Sequence, residues 1–141
     1  MSKKKTIIII TVILLTLIVA GLCIFSYFFH TSVRIQSEFD VTSISIVDES
    51  GKVVHKDSPR FSHFSSYGKY EYRFTVKGHK VLVDYVKTNN FEHNSIGIDV
   101  KSDDSHSDSI IVIDVKRNGV LEKSEEFNLN EQDVIFINLG P

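Results

Sequence analysis

The chain has 141 residues and a formal net charge of −2 at pH 7, which is enough length for one ordinary domain. Three of its 16 basic residues stand at the N-terminus, so the remainder carries 13 basic against 18 acidic residues, a net charge of −5. This acidity argues against nucleic acid and against an anionic membrane surface as partners. Because Cys23 is the only cysteine, the rest of the chain has no disulfide, thiol nucleophile or cysteine metal site.

An uncharged, largely apolar stretch of 24 residues, 6–29, follows the three lysines at positions 3–5. As a helix with a rise of ~1.5 Å per residue it would be about 36 Å long, which exceeds the roughly 30 Å hydrocarbon core of a bilayer. Residues 6–29 are therefore predicted to form a transmembrane helix after a basic, cytoplasmic N-terminus at 1–5. Because basic residues mark the cytoplasmic side, the C-terminal part is expected outside the cell membrane.

Two processing alternatives compete with a retained anchor. A secretory signal peptide has an apolar region of only about 7–15 residues and a small-residue cleavage site, and the present stretch is too long for that. A bacterial lipobox needs a small residue directly before the lipidated cysteine, whereas Leu22 precedes Cys23 here. The aromatic residues at 27–29 are typical of a membrane interface, so a single-pass anchor that contacts the lipid bilayer is preferred.

Beyond the apolar stretch, short runs alternate between apolar and polar residues, which is the pattern of half-buried strands. The clearest run, residues 69–77, has four apolar residues on one face: Tyr70, Tyr72, Phe74 and Val76. Further runs occur at 39–47, 52–55, 80–86, 96–100, 110–115, 120–127 and 133–139.

Two short connections are predicted to be tight hairpin turns, Gly78-His79 as type II′ and Asn118-Gly119 as the strongest hairpin signal in the chain. About seven to eight strands separated by turn signals predict an all-β fold, an antiparallel β-sandwich over residues 38–141 that is immunoglobulin-like by strand count. Residues 30–37 are expected to be a short linker that holds this domain close to the membrane.

The stretch 102–109 is rich in Ser and Asp and is the best candidate for a metal site. Its predicted ligands are Asp103, Asp104, His106 and Asp108. Calcium needs six to eight oxygen ligands, which several loops of a sandwich can supply together. The alternative is a solvated turn, which is preferred because the regular spacing of a calcium loop is absent.

A connection of about twelve residues at 57–68 is long for a sandwich. It carries four residues of the types that dominate protein interfaces: Arg60, Phe61, Phe64 and Tyr67. They are the candidate partner-binding residues. The alternative is that Phe61 and Phe64 fold back to cap one end of the sandwich. A second loop, 88–94, could lie beside the first if both occupy the same end.

Catalytic motifs are missing from the sequence: there is no nucleophile elbow, no helical pair of zinc-binding histidines and no phosphate-binding glycine loop. The protein is therefore expected to be no enzyme and to need no cofactor. The preferred hypothesis is a membrane-anchored, extracytoplasmic interaction module that binds a protein partner in a bacterial cell envelope. The alternative is a sensor domain for a cation or small ligand, which calcium would stabilise against thermal unfolding.

Overall fold

The computed structural model describes residues 2–56, 58–65, 67–88, 91–103 and 108–139. One helix, α1 (Lys3–Phe29), is followed by ten strands. The strands are β1 (His30–Ser37), β2 (Val41–Asp48), β3 (Val53–Lys56), β4 (Arg60–Phe64), β5 (Gly68–Val76), β6 (His79–Lys87), β7 (Asn94–Ser102), β8 (Ile110–Arg117), β9 (Val120–Asn128) and β10 (Val134–Asn138).

Helix α1 is apolar on every side and buries none of its residues within the protein. The Ser2 side chain caps its N-terminus by accepting a hydrogen bond from the backbone N–H of Lys5, at 3.3 Å. Thr11 and Thr16, the two hydroxyl residues in its middle, each donate to the carbonyl four residues earlier at 2.8 Å. The helix is long and apolar enough to cross a membrane.

The strands form two five-stranded sheets in a sandwich-like arrangement. Sheet A has the order β4-β1-β7-β8-β9, and sheet B has the order β10-β6-β5-β2-β3. Each sheet contains one parallel pair, β1 with β7 and β6 with β10, so the expectation of a purely antiparallel sandwich is wrong. The mixed sheets also do not reproduce a clear immunoglobulin-like arrangement. Both parallel pairs join strands that are distant in sequence, and short-range turn signals carry no information about such pairs.

Residues 30–37 are strand β1 and not the linker that was expected. This strand lies between β4 and β7 in sheet A and follows α1 directly. Its inward residues Thr31, Val33 and Ile35 are buried, whereas the residues between them are polar or charged. The alternation is difficult to recognise in the sequence because the strand is short and Val33 and Ile35 are its only aliphatic residues.

The hairpin β5–β6 has the inward face that the sequence predicts, and Tyr70, Tyr72, Phe74 and Val76 are all buried. Its turn is one residue earlier than predicted, because Val76 pairs with His79 and the positive φ angles belong to Lys77 (51°) and Gly78 (78°). Two successive positive φ angles define a type I′ turn and not type II′. The predicted Asn118-Gly119 turn is confirmed, with φ angles of 53° and 81°.

The sandwich has two ends, which the strand registers define. The end at which α1 enters β1 is called the helix end, and it also carries the connections β2–β3, β4–β5, β6–β7 and β8–β9. The opposite end, called the far end, carries the connections β1–β2, β3–β4, β5–β6, β7–β8 and β9–β10. The core between the sheets is formed by inward aliphatic and aromatic residues, with Phe61 of β4 packed against it.

Candidate functional site at the helix end

The last turn of α1 is capped by the sandwich. A helix leaves its last four carbonyl groups without a helical partner, and here these belong to residues 26–29. All four accept hydrogen bonds: Ser26 O from His30 Nδ1 (2.6 Å), Tyr27 O from His93 Nδ1 (2.8 Å), Phe28 O from Lys87 Nζ (2.6 Å) and Phe29 O from the backbone N–H of Ser65. The donors come from β1, from β6 and from the β4–β5 and β6–β7 connections. The helix and the domain therefore meet through specific hydrogen bonds.

Lys87 is the central residue of this junction. It is the last residue of β6, it follows Val81, Val83 and Tyr85 on the inward face, and its side chain is 0% exposed. Besides Phe28 O, its ammonium group donates to Ser65 O at 2.8 Å and lies 3.3 Å from Ser65 Oγ. All three of these oxygens are uncharged. Burial lowers the pKa of Lys87 below its ordinary value, and the carboxylate of Glu92 opposes this shift in part.

The buried polar residues of the described chain are concentrated at the same end. They are Thr31, His63, Ser65, Lys87 and Asn94. Burying a polar group costs free energy unless it is hydrogen-bonded, and each of these side chains has a partner. The contacts are Thr31 Oγ1 with Ser65 Oγ (2.7 Å), Asn94 Nδ2 with Tyr85 OH (2.6 Å), His63 Nε2 with Tyr72 OH (3.0 Å) and those of Lys87 above.

Two tyrosines connect this polar layer to the apolar core. The rings of Tyr72 and Tyr85 stack at 5.9 Å, with 17° between their planes. Burial raises the pKa of both hydroxyl groups, so they stay protonated and serve as hydrogen-bond partners of His63 and Asn94. The polar layer thus continues from the last turn of α1 into the sandwich, and each buried polar side chain named above makes at least one hydrogen bond.

Aromatic rings surround the same junction. Tyr27 stacks on the His93 ring at 4.0 Å, and Phe29 stacks on Phe64 at 5.7 Å. Phe91 meets Phe29 edge-on at 6.3 Å. The loop that contains Phe91 and the strand that ends at Phe64 therefore lie at the same end, which is the arrangement that the sequence allows for loops 57–68 and 88–94.

The four predicted partner-binding residues do not form one surface. Residues 60–64 are an edge strand and not part of a loop, so neighbouring side chains point to opposite faces. Phe61 faces inward and is partly buried, whereas Arg60 and Phe64 face outward and are exposed. Tyr67 lies in the β4–β5 connection beside the helix junction. Only Phe64 and Tyr67 are thus brought together at the helix end.

Of the four predicted metal ligands, the structure describes Asp103 and Asp108, which lie at the far end in the β7–β8 connection. Asp104 and His106 are outside the described residues. The backbone carbonyl of Asp108 accepts a hydrogen bond from Lys77 Nζ at 2.6 Å, and Asp103 is partly buried. Among the described residues, no group of three His, Cys, Asp or Glu side chains is arranged to hold a metal ion.

An open cavity of about 500 Å³ lies on the outer face of sheet B near the helix end. Glu71 and Asp84 face each other there as cross-strand neighbours, and Glu71 also pairs with Arg73. Burial and the Glu71 carboxylate raise the pKa of Asp84. Partial burial of Asp84 and the neighbouring carboxylate on the adjacent strand are sufficient to explain this shift.

Lys87 and Asn94 are central to the junction but are not among the site residues predicted from the sequence. A signal for Lys87 exists, because it continues the inward alternation of Val81, Val83 and Tyr85 and is thus a charged residue at a core position. No comparable signal marks Asn94, whose partner Tyr85 lies on a different sheet.

Comparisons of this chain with protein-family models, curated proteins and solved structures give no match. The architecture itself defines a class: one apolar helix, long enough to cross a membrane, joined directly to a β-rich, sandwich-like domain of two mixed sheets.

Proposed function

We propose that this protein is a single-pass membrane protein that holds a non-catalytic interaction module at the outer surface of a bacterial cell membrane. The observation that carries the proposal is the capping of the last four carbonyl groups of α1 by the sandwich. Cleavage of α1 would remove the Phe28 carbonyl from the buried ammonium group of Lys87 and would expose the junction. If the helix is retained, the Phe28 carbonyl and the Lys87 ammonium group stay hydrogen-bonded to each other. This pairing supports the interpretation of α1 as a membrane anchor and not as a removable signal peptide.

The orientation follows from the charges at the two ends of α1. Lys3, Lys4 and Lys5 lie at its N-terminus, whereas Arg34 is the only Lys or Arg among the 20 residues that follow the helix, 30–49. Because basic residues are retained in the cytoplasm, the N-terminus stays inside and the sandwich lies outside.

The edge strand β4 is the surface that we assign to a protein partner. It is one of the two edge strands of sheet A, and its outward side chains Arg60 and Ser62 are exposed. An edge strand offers backbone hydrogen-bonding groups to an added strand, and arginine is enriched in interface hot spots. Because α1 continues into the neighbouring strand β1, the β4 edge faces sideways, toward other proteins of the same membrane.

Photo-crosslinking of the full chain in intact cells tests this assignment. A photo-reactive amino acid at Ser62 is expected to capture one reproducible envelope protein. The matched control places the same amino acid at Glu126, an exposed outward position on β9, the opposite edge strand of sheet A. Capture of the same proteins from both positions, or of none from Ser62, would contradict a partner at the β4 edge.

A further inference from the structure

Exposed apolar side chains of the sandwich are concentrated at the helix end. Outside α1, the described chain exposes seven large hydrophobic residues: Val53, Phe64, Tyr67, Phe91, Val120, Leu121 and Phe136. The registers place all of them except Phe136 at or next to the connections of the helix end. Such a one-sided concentration marks a surface that is covered in the working protein.

Three aromatic residues of this set, Phe64, Tyr67 and Phe91, form what we call the aromatic rim. Their exposed fractions are 57%, 70% and 70%, which is far more than aromatic side chains of a core show. Phe64 and Phe91 contact the ring of Phe29, the last residue of α1. These two rim residues therefore contact the C-terminal turn of the helix, and Tyr67 lies at the same end, in the β4–β5 connection that follows Phe64.

The length of α1 sets the depth of this turn. Its 27 residues extend over about 40 Å at ~1.5 Å per residue, whereas the hydrocarbon core measures roughly 30 Å. The final turn, with Tyr27 and Phe29, therefore lies in the headgroup region. Side chains in contact with that turn lie at the same depth, and aromatic rings are the side chains that this region favours.

We infer that Phe64, Tyr67 and Phe91 insert into the headgroup region of the bilayer around α1, so that the sandwich stands on the membrane by its helix end. This inference rests on the membrane anchoring proposed above. It assigns Tyr67 and Phe64, the last residue of β4, to lipid and leaves the outward residues Arg60 and Ser62 of the β4 edge to the protein partner. The part of the chain outside the helix has a net charge of −5, so anionic lipids do not attract it electrostatically. The proposed contact is therefore an apolar one, made by the aromatic rings.

Tryptophan fluorescence of the full chain in lipid nanodiscs tests the inference, because the natural chain contains no Trp. Three single substitutions report on depth: Phe64→Trp and Phe91→Trp in the rim, and Phe25→Trp inside α1. The matched control is Phe136→Trp, which is 68% exposed on β10 and pairs with Leu82, five residues before Lys87. At ~3.3 Å per residue, this position is about 16 Å above the junction.

Lipids that carry bromine on their acyl chains are expected to reduce the emission of Phe25→Trp strongly and that of both rim variants by about twofold, as for residues near the interface. Phe136→Trp should keep its emission. If Phe25→Trp is quenched while the rim variants behave like Phe136→Trp, the anchor stands and the lipid contact is refuted. If Phe25→Trp is also not quenched, the anchoring itself is refuted, and the inference falls with it.

Discussion

A chain that begins at residue 38 is expected not to fold, whereas a chain that begins at His30 is expected to fold cooperatively. The difference is β1, which pairs with β4 on one side and with β7 on the other. Its loss exposes the core to water and breaks two ladders of backbone hydrogen bonds. It also removes the buried side chains of Val33 and Ile35, whose burial stabilises the fold by about 2 kcal/mol each. The sum approaches the total stability of an ordinary domain, about 5–15 kcal/mol.

Circular dichroism and urea unfolding of the two fragments measure this difference. The longer fragment should give a strand spectrum and one sharp unfolding transition, and the shorter fragment should give neither. A cooperative transition in the fragment that begins at residue 38 would mean that residues 30–37 are a linker after all. It would also remove the direct connection between the helix and the core.

The substitution Lys87→Met is expected to destabilise the full chain in detergent micelles by about 2–3 kcal/mol. It leaves the carbonyl groups of Phe28 and Ser65 without this donor, and an unsatisfied buried group costs about 1–3 kcal/mol. Relief from burying the ammonium group offsets part of this loss. The free energy of unfolding in urea, followed by near-ultraviolet circular dichroism of the tyrosines, gives the measurement.

The control for this substitution is Lys80→Met on the same strand, where the side chain faces solvent and the expected change is within about 0.5 kcal/mol. Because burial lowers the pKa of Lys87, the unfolded chain binds this proton more tightly than the folded chain. Stability from this group therefore rises with pH up to the ordinary pKa of 10.5, and the deficit of Lys87→Met should be larger at pH 10 than at pH 8. Equal effects of Lys87→Met and Lys80→Met would contradict the buried junction.

Local sequence patterns predicted those parts of the fold that local physics determines. The apolar stretch before Phe29 gives a helix, and the alternation from Tyr70 to Val76 gives a strand with the correct inward face. Asn118-Gly119 gives a tight turn because both residues tolerate positive φ. The turn predicted at Gly78-His79 lies one residue earlier in the structure. The reason is that Lys77 adopts a positive φ, which is unusual for lysine and could not be predicted from the residue type.

Long-range pairing lay beyond these patterns. The polar residues around Val33 and Ile35 resemble a linker, and only the position between β4 and β7 reveals a strand. The parallel pairs have no turn of their own that could signal them. The division of the 60–64 stretch into an inward Phe61 and outward neighbours also follows from its pairing with β1.

The junction at the helix end was predictable only in part. Its chemistry depends on residues from four separate segments that meet at the C-terminus of α1, among them Ser65, Lys87 and His93. A single sequence does not bring these segments together. The sequence predicts an aromatic-rich connection at 57–68 and allows the loop 88–94 to lie beside it, and in the structure Phe64 and Phe91 both contact the last residue of the helix.

The most direct test of the account is the position of the two ends of the chain relative to the membrane. In a Cys23→Ser background, Ser2→Cys marks the start of α1 and Asn130→Cys marks an exposed turn at the far end of the sandwich. A maleimide reagent that does not cross membranes is expected to label Asn130→Cys in intact cells, and Ser2→Cys only after the membrane is opened. The reverse pattern, or a labelled sandwich released without α1, would contradict a membrane-anchored module on the outer surface.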